Sequence, residues 1–167
     1  PWVDALVPDL KQPILFIAEA GREDEIVTRL ARVGYENAIG YLEGGFKVWQ
    51  EAGEEQDQIK EIAAEDFAKI YNSSINLLDA RRVSEYETQH VEGATNFPLD
   101  FISRNMSNID REQLYYVHCA GGYRSMIAVS ILKSRGFTNI INIQGGFKAL
   151  QTTNLPLSEL VEQATEL

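Results

Sequence analysis

Val117-His118-Cys119-Ala120-Gly121-Gly122-Tyr123-Arg124-Ser125 holds the only cysteine of a 167-residue chain. The apolar run Leu114–Val117 ahead of it reads as a strand, and Met126 to Leu132 behind it has the spacing of a buried helix. The cysteine therefore falls at the mouth of a helix. Unpaired amides, the positive end of the helix dipole and the guanidinium of Arg124 all favour an anion there, so Cys119 is expected as a thiolate nucleophile. Gly121 and Gly122 let the backbone curl around a bound anion without a Cβ in the way. His118 is the neighbouring strand residue and points to the opposite face, which argues against a Cys-His pair.

Outward from this stretch the chain repeats itself. Gln113 to His118, the cysteine loop, a helix to Arg135, Gly136-Phe137 and Gln144-Gly145-Gly146-Phe147-Lys148 follow the order of Pro13 to Ala18, Glu19 to Arg22, a helix to Arg32, Gly34-Tyr35 and Glu43-Gly44-Gly45-Phe46-Lys47. The first copy has Glu19-Ala20-Gly21-Arg22 at the loop, read as two residues shorter and with a carboxylate in the place of the cysteine. It offers no thiolate.

Between the copies, residues 51–66 carry seven acidic side chains against one lysine, so residues 54–62 are expected as an acidic linker. An amphipathic helix with Phe67, Ile70 and Tyr71 on one face comes next. The strand Ile75–Leu78 then ends at Asp79-Ala80-Arg81, a short helix covers Ser84 to Thr88, and an extended Ala94 to Phe97 stops at Pro98. Strands alternating with helices predict an α/β fold, a parallel sheet flanked by helices on both faces and preceded by a partial copy of itself. Sites in such sheets lie at the carboxyl ends of strands, where Cys119, Asp79 and Arg81 all fall. Asp79 and Arg81, two apart on a strand, share a face and are expected to pair with neighbouring loops and order them rather than bind substrate, and His90 to order a turn. Leu157, Leu160 and Val161 have helical spacing.

The totals narrow the class. A composition 44% hydrophobic and 24% charged is that of a globular protein, and a net charge of -10 with scattered basic residues argues against nucleic-acid partners. No apolar run is long enough to span a bilayer. One cysteine and two histidines give neither an internal disulfide nor a zinc site, so no metal and no cofactor are expected, and a reducing cytoplasm suits the lone thiol. The opening Pro1-Trp2-Val3-Asp4 reads as the cut end of a longer chain.

Leu78-Asp79-Ala80-Arg81, Glu85-Tyr86, His90-Val91-Glu92-Gly93-Ala94-Thr95-Asn96-Phe97-Pro98, the loop Cys119 to Ser125 and Gly145-Gly146-Phe147 together resemble the rhodanese, or sulfurtransferase, domain. The resemblance implies a complete rhodanese domain over 63–157 with a tail over 158–167, and the carboxyl-terminal half of a degenerate, inactive module over 1–53. The pairing is similar to the end of fusions in which a metallo-β-lactamase-fold domain precedes two rhodanese modules, some of them persulfide dioxygenase-like. Such a domain is the partner implied upstream.

By the same resemblance Cys119 takes a sulfane sulfur from thiosulfate or a low-molecular-weight persulfide, and passes it to cyanide or a thiol. Ala120, Gly121, Gly122, Tyr123, Arg124 and Ser125 bind the donor, and Arg124 meets its charge. Asp79, Arg81 and His90 support the site. Many thiosulfate-using relatives carry a basic residue where this sequence has Ala120.

Two alternatives stand beside this reading. Phosphatases and arsenate reductases of the Cys-loop-Arg type have five residues between cysteine and arginine, where Cys119 and Arg124 have four. A non-catalytic regulatory or docking module of a larger metallo-β-lactamase-fold enzyme is the other. The half module, short of strands, is expected to dock on the complete one or on another chain, with a homo-oligomer as one form of that.

Overall fold

The computed structural model describes residues 3–161, which divide after Gln58 into two compact units. In the first, α1 (Val3–Leu6) precedes β1 (Ile14–Phe16), α2 (Glu23–Ala31), β2 (Ala38–Tyr41) and α3 (Gly45–Glu51). β1 and β2 pair in parallel, with Phe16 opposite Tyr41. Tyr35 is buried beneath the turn after α2 and donates its hydroxyl to the Val7 carbonyl at 2.5 Å. The alternating side chains Leu15, Ile17, Ile39 and Tyr41 are all exposed, so the two strands present an apolar surface.

The second unit is built from β3 (Lys60–Ile62), α4 (Ala64–Ile70), β4 (Asn76–Asp79), α5 (Val83–Thr88), β5 (Thr95–Asn96), α6 (Ile102–Asn105), β6 (Tyr115–His118), α7 (Tyr123–Ser134), β7 (Ile140–Ile143) and α8 (Gly146–Leu150). Its five strands lie in the order β3-β7-β6-β4-β5 and every adjacent pair is parallel. This is the α/β sheet that the sequence predicts. The central strands read as unbroken apolar runs because both their faces are covered, and all four residues of β6 are buried. Phe67 on α4 packs against Tyr116 of β6, ring centres 5.0 Å apart, in a core that also takes in Leu77, Ile143, Phe147 and Leu150.

Four local expectations change. Residues 60–62, expected as linker, form β3, whose charged Lys60 and Glu61 are tolerated because the strand lies at the sheet edge, paired on one side alone. Glu61 accepts a hydrogen bond from the Asn142 side chain at 2.7 Å, fixing that edge to its neighbour. Ile70, expected on the buried face of α4 with Phe67 and Tyr71, is exposed at the last residue of the helix.

The expected helical tail runs non-helical as far as Val161: Leu157 bridges Val91 antiparallel, Ser158 donates its amide to His90, and Val161 donates to Thr88. Backbone pairing overrides the apolar spacing there. The remainder of the expected tail, 162–167, lies outside the described residues, as do Pro1 and Trp2.

The repeated loops also compare differently from the sequence expectation. Val117 opposite Asn142 has the same relative register as Phe16 opposite Tyr41, and a Cβ on Gly146 would strike the Cys119 carbonyl just as one on Gly45 would strike the carbonyl of Ala18. Ala18, not Glu19, is the counterpart of Cys119. The first loop is not shorter, and although α2 is the shorter helix the two copies keep the same spacing from this position to the Gly-Gly pair.

Candidate functional site

Cys119 follows the last residue of β6 and precedes the amino end of α7, at the carboxyl edge of the sheet. Its side chain is buried, at 1% exposure. Gly122 turns the chain into the helix with φ of 100°, a conformation that suits glycine, and donates its amide to the Cys119 Sγ at 3.2 Å. Charge-assisted hydrogen bonds are the stronger ones, so this amide favours a negatively charged sulfur. Ser125 Oγ donates to the Gly122 carbonyl at 3.0 Å and locks the curl.

The outer side of the loop is held by the amino end of α8. Phe147 and Lys148 donate their amides to the carbonyls of Cys119 and Ala120 at 2.6 and 3.1 Å. So close an approach needs a glycine at 146, where φ is +61° and a Cβ would strike Cys119, Ala120 and Gly121. The Gly-Gly-Phe-Lys motif thus serves as a backbone clamp on the cysteine loop. Tyr123 stands exposed at the loop's rim and Gly121 is also open to solvent.

Arg124, expected to bind the donor and meet its charge, is paired within the protein. Its two terminal nitrogens donate to the two carboxylate oxygens of Glu85 at 2.6 and 2.7 Å. This hydrogen-bonded pairing pulls the Glu85 carboxyl below its usual range and raises the Arg124 guanidinium further. Glu85 belongs to the quoted Glu85-Tyr86 motif, yet its contact with Arg124 spans 39 residues. The one signal for it in the sequence is a carboxylate three residues into a short helix, where its Oε2 accepts the Arg82 amide at 3.1 Å.

Asp79 and Arg81 sit behind the loop as a buried pair. Arg81 Nε lies 2.9 Å from both Asp79 oxygens and Nη2 lies 2.6 Å from Oδ2. Arg81 also donates to the Gln89 carbonyl at 2.8 Å and stacks 3.9 Å above the Phe147 ring. These contacts order the end of α5 and the start of α8 rather than facing the sulfur.

His90 stacks on Tyr86 at 3.8 Å between ring centres, with Nδ1 2.8 Å from the Tyr86 carbonyl, and its amide donates to the Ser158 hydroxyl oxygen at 3.0 Å. It orders the turn into Val91. His118 is fully buried, its Nε2 3.8 Å from Asp79 Oδ2 and without a hydrogen-bond partner. Among the described residues no group of three histidine, cysteine or acidic side chains could hold a metal ion, and no helix is long and apolar enough to cross a membrane.

A family model described as Rhodanese-like domain matches residues 63–153. The chain belongs to the rhodanese-like family. A putative sulfur carrier protein YrkF of Bacillus subtilis is 31% identical over 101 residues, covering 59% of this chain and 55% of that protein. The uncharacterized protein YqhL of the same organism is 33% identical over 94 residues, 56% of this chain and 74% of its own length. The chain thus spans about half of the first of these relatives. Among solved structures, a rhodanese-related protein from Thermoplasma volcanium matches with a TM-score of 0.55 and 26% identity, covering 59% of this chain and 97% of that one. The family-model match falls on the unit that carries the five-stranded sheet.

Burial lowers the affinity of His118 for a proton, and the nearby Asp79 only partly offsets this. The unfolded chain then binds a proton near the ordinary histidine value, about 6.5, before the folded chain does. Stability should therefore fall as pH drops below about 6.5, by up to about 1.4 kcal/mol per pH unit from this group. Urea titrations of the full chain between pH 8 and 5 measure it, and His118→Gln should flatten the slope just below 6.5. An equal slope in the variant would assign the acid sensitivity to other groups.

Proposed function

We propose that the rhodanese-like unit is a sulfurtransferase in which Cys119 carries the sulfur. The observation that carries the reading is a lone cysteine at the carboxyl end of a central parallel strand. Its sulfur accepts the Gly122 amide, and its loop is clamped by the amides of Phe147 and Lys148. Membership of the rhodanese-like family and similarity to a putative sulfur carrier protein support it.

In the loading step the Cys119 thiolate attacks the outer sulfur of a persulfide R–S–SH. A sulfur–sulfur bond forms to Cys119, the bond to R–S breaks, and R–S⁻ departs, leaving Cys119–S–SH. With thiosulfate the same attack releases sulfite. A thiolate or cyanide then attacks the outer sulfur of the cysteine persulfide and returns Cys119 as thiolate. No electrons enter or leave, so no cofactor is required. The amide of Gly122 stabilises negative charge at the sulfur, and its preorganisation makes it effective in a buried site.

For residues 1–53 we propose the back half of a second module with no nucleophile, because Ala18 has the register of Cys119. An experimental structure in which residues 13–51 fail to superpose on 114–152 within about 2 Å would remove that proposal. It leaves the transfer activity to the second unit alone.

Transfer of sulfane sulfur from glutathione persulfide to cyanide, read as thiocyanate, tests the reading. The full chain should turn over, and Cys119→Ser should lose at least about a thousandfold in rate, as removal of a nucleophile does. Equal rates in the two proteins would contradict it.

A further inference from the structure

The loop from Cys119 to Ser125 carries one cation, Arg124, and Glu85 occupies it through two short hydrogen bonds. Arg124 is largely buried and Glu85 half-buried, so the pair is partly shielded from water. A two-pronged pairing of this kind uses the same parallel donors that would grip the oxygens of a sulfonate, sulfate or phosphate group. Position 120 offers alanine, and Tyr123 is uncharged. The cationic charge beside the sulfur is therefore already matched inside the protein.

A dianionic donor would meet two costs here. It must displace the Glu85 carboxylate to reach Arg124, and the displaced carboxylate, tied to the start of α5 by the Arg82 amide, stays nearby as a like charge. Like-charge juxtaposition is a repulsive element by which a site rejects one ligand in favour of another. A persulfide presents at its reacting end a sulfur with at most one negative charge and no oxygens that need a guanidinium. It can be served by the Gly122 amide alone.

We infer that Glu85 is a specificity-determining positioning residue: by holding Arg124 it excludes dianionic donors such as thiosulfate and selects alkyl persulfides, a conclusion that rests on the sulfurtransferase reading above. The same pairing turns away phosphate and arsenate, which need the guanidinium at least as much. Glu85 touches no reacting atom and acts only through Arg124.

The test compares donors in the full chain. Glu85→Gln keeps a side-chain acceptor for the Arg82 amide but removes the charge that holds Arg124. The ratio of kcat/KM for thiosulfate over that for glutathione persulfide should rise at least about tenfold in this variant, the scale of one displaced like charge. A merely structural role would move both donors alike, and an unchanged ratio overturns the inference.

A second measurement needs neither turnover nor a folded variant. Sulfate at millimolar concentration should leave the rate of Cys119 alkylation by iodoacetamide unaltered in the wild-type chain, because the seat is filled. Marked protection by sulfate overturns the inference. If the wild-type chain never takes a sulfur from glutathione persulfide, the sulfurtransferase reading falls, while the sulfate experiment still reports on Glu85 and Arg124.

Discussion

The buried pair of Asp79 and Arg81 is the contact on which the loop's geometry depends. Two charges with no access to water are stable only when their hydrogen bonds are satisfied, and here nearly every neighbour contributes. Asp79 ends the central strand β4, and Arg81 reaches from it to the last turn of α5 through the Gln89 carbonyl. The Asn96 side chain bonds the carbonyls of both residues from β5. Arg81 covers the ring of Phe147, whose amide holds the Cys119 carbonyl. One ion pair thus links β4, β5, α5 and α8 to the cysteine loop, and loss of either partner would leave the other charged, buried and alone.

From that brace the site is assembled mostly by backbone. Gly122 aims its amide at the sulfur, Gly146 lets α8 approach the loop, and the Ala80 amide caps the His118 carbonyl at 2.8 Å. Side-chain charge is matched locally: Arg81 with Asp79, and Arg124 with Glu85. The result is a buried sulfur with one directed donor and no unpaired cation contributed by its own loop. This arrangement suits a reactant whose charge is small and concentrated on one atom.

The sheet and its helices were legible because burial on both faces writes unbroken apolar runs, as in Tyr115–Val117, and because glycine pairs mark turns that no other residue tolerates. Cys119 and its loop were legible by their place between a strand and a helix. Asp79 and Arg81 were visible as a strand end, but their partners were not. What escaped was set by distance or by edges. The contact of Glu85 with Arg124 closes only when α5 and α7 meet, and nothing near either residue announces it. β3 is charged because it has one neighbour, so its three residues read as linker. Ala18 emerged as the counterpart of Cys119 from register, where residue counting along the loop had pointed to Glu19.

The central claim is that Cys119 accepts a sulfane sulfur, and intact-protein mass spectrometry with peptide mapping tests it most directly. The reduced full chain, incubated with glutathione persulfide and separated from it, should carry one extra sulfur on the peptide containing Cys119, and should lose it on addition of cyanide. A thiol that iodoacetamide still labels but that gains no sulfur would contradict the account.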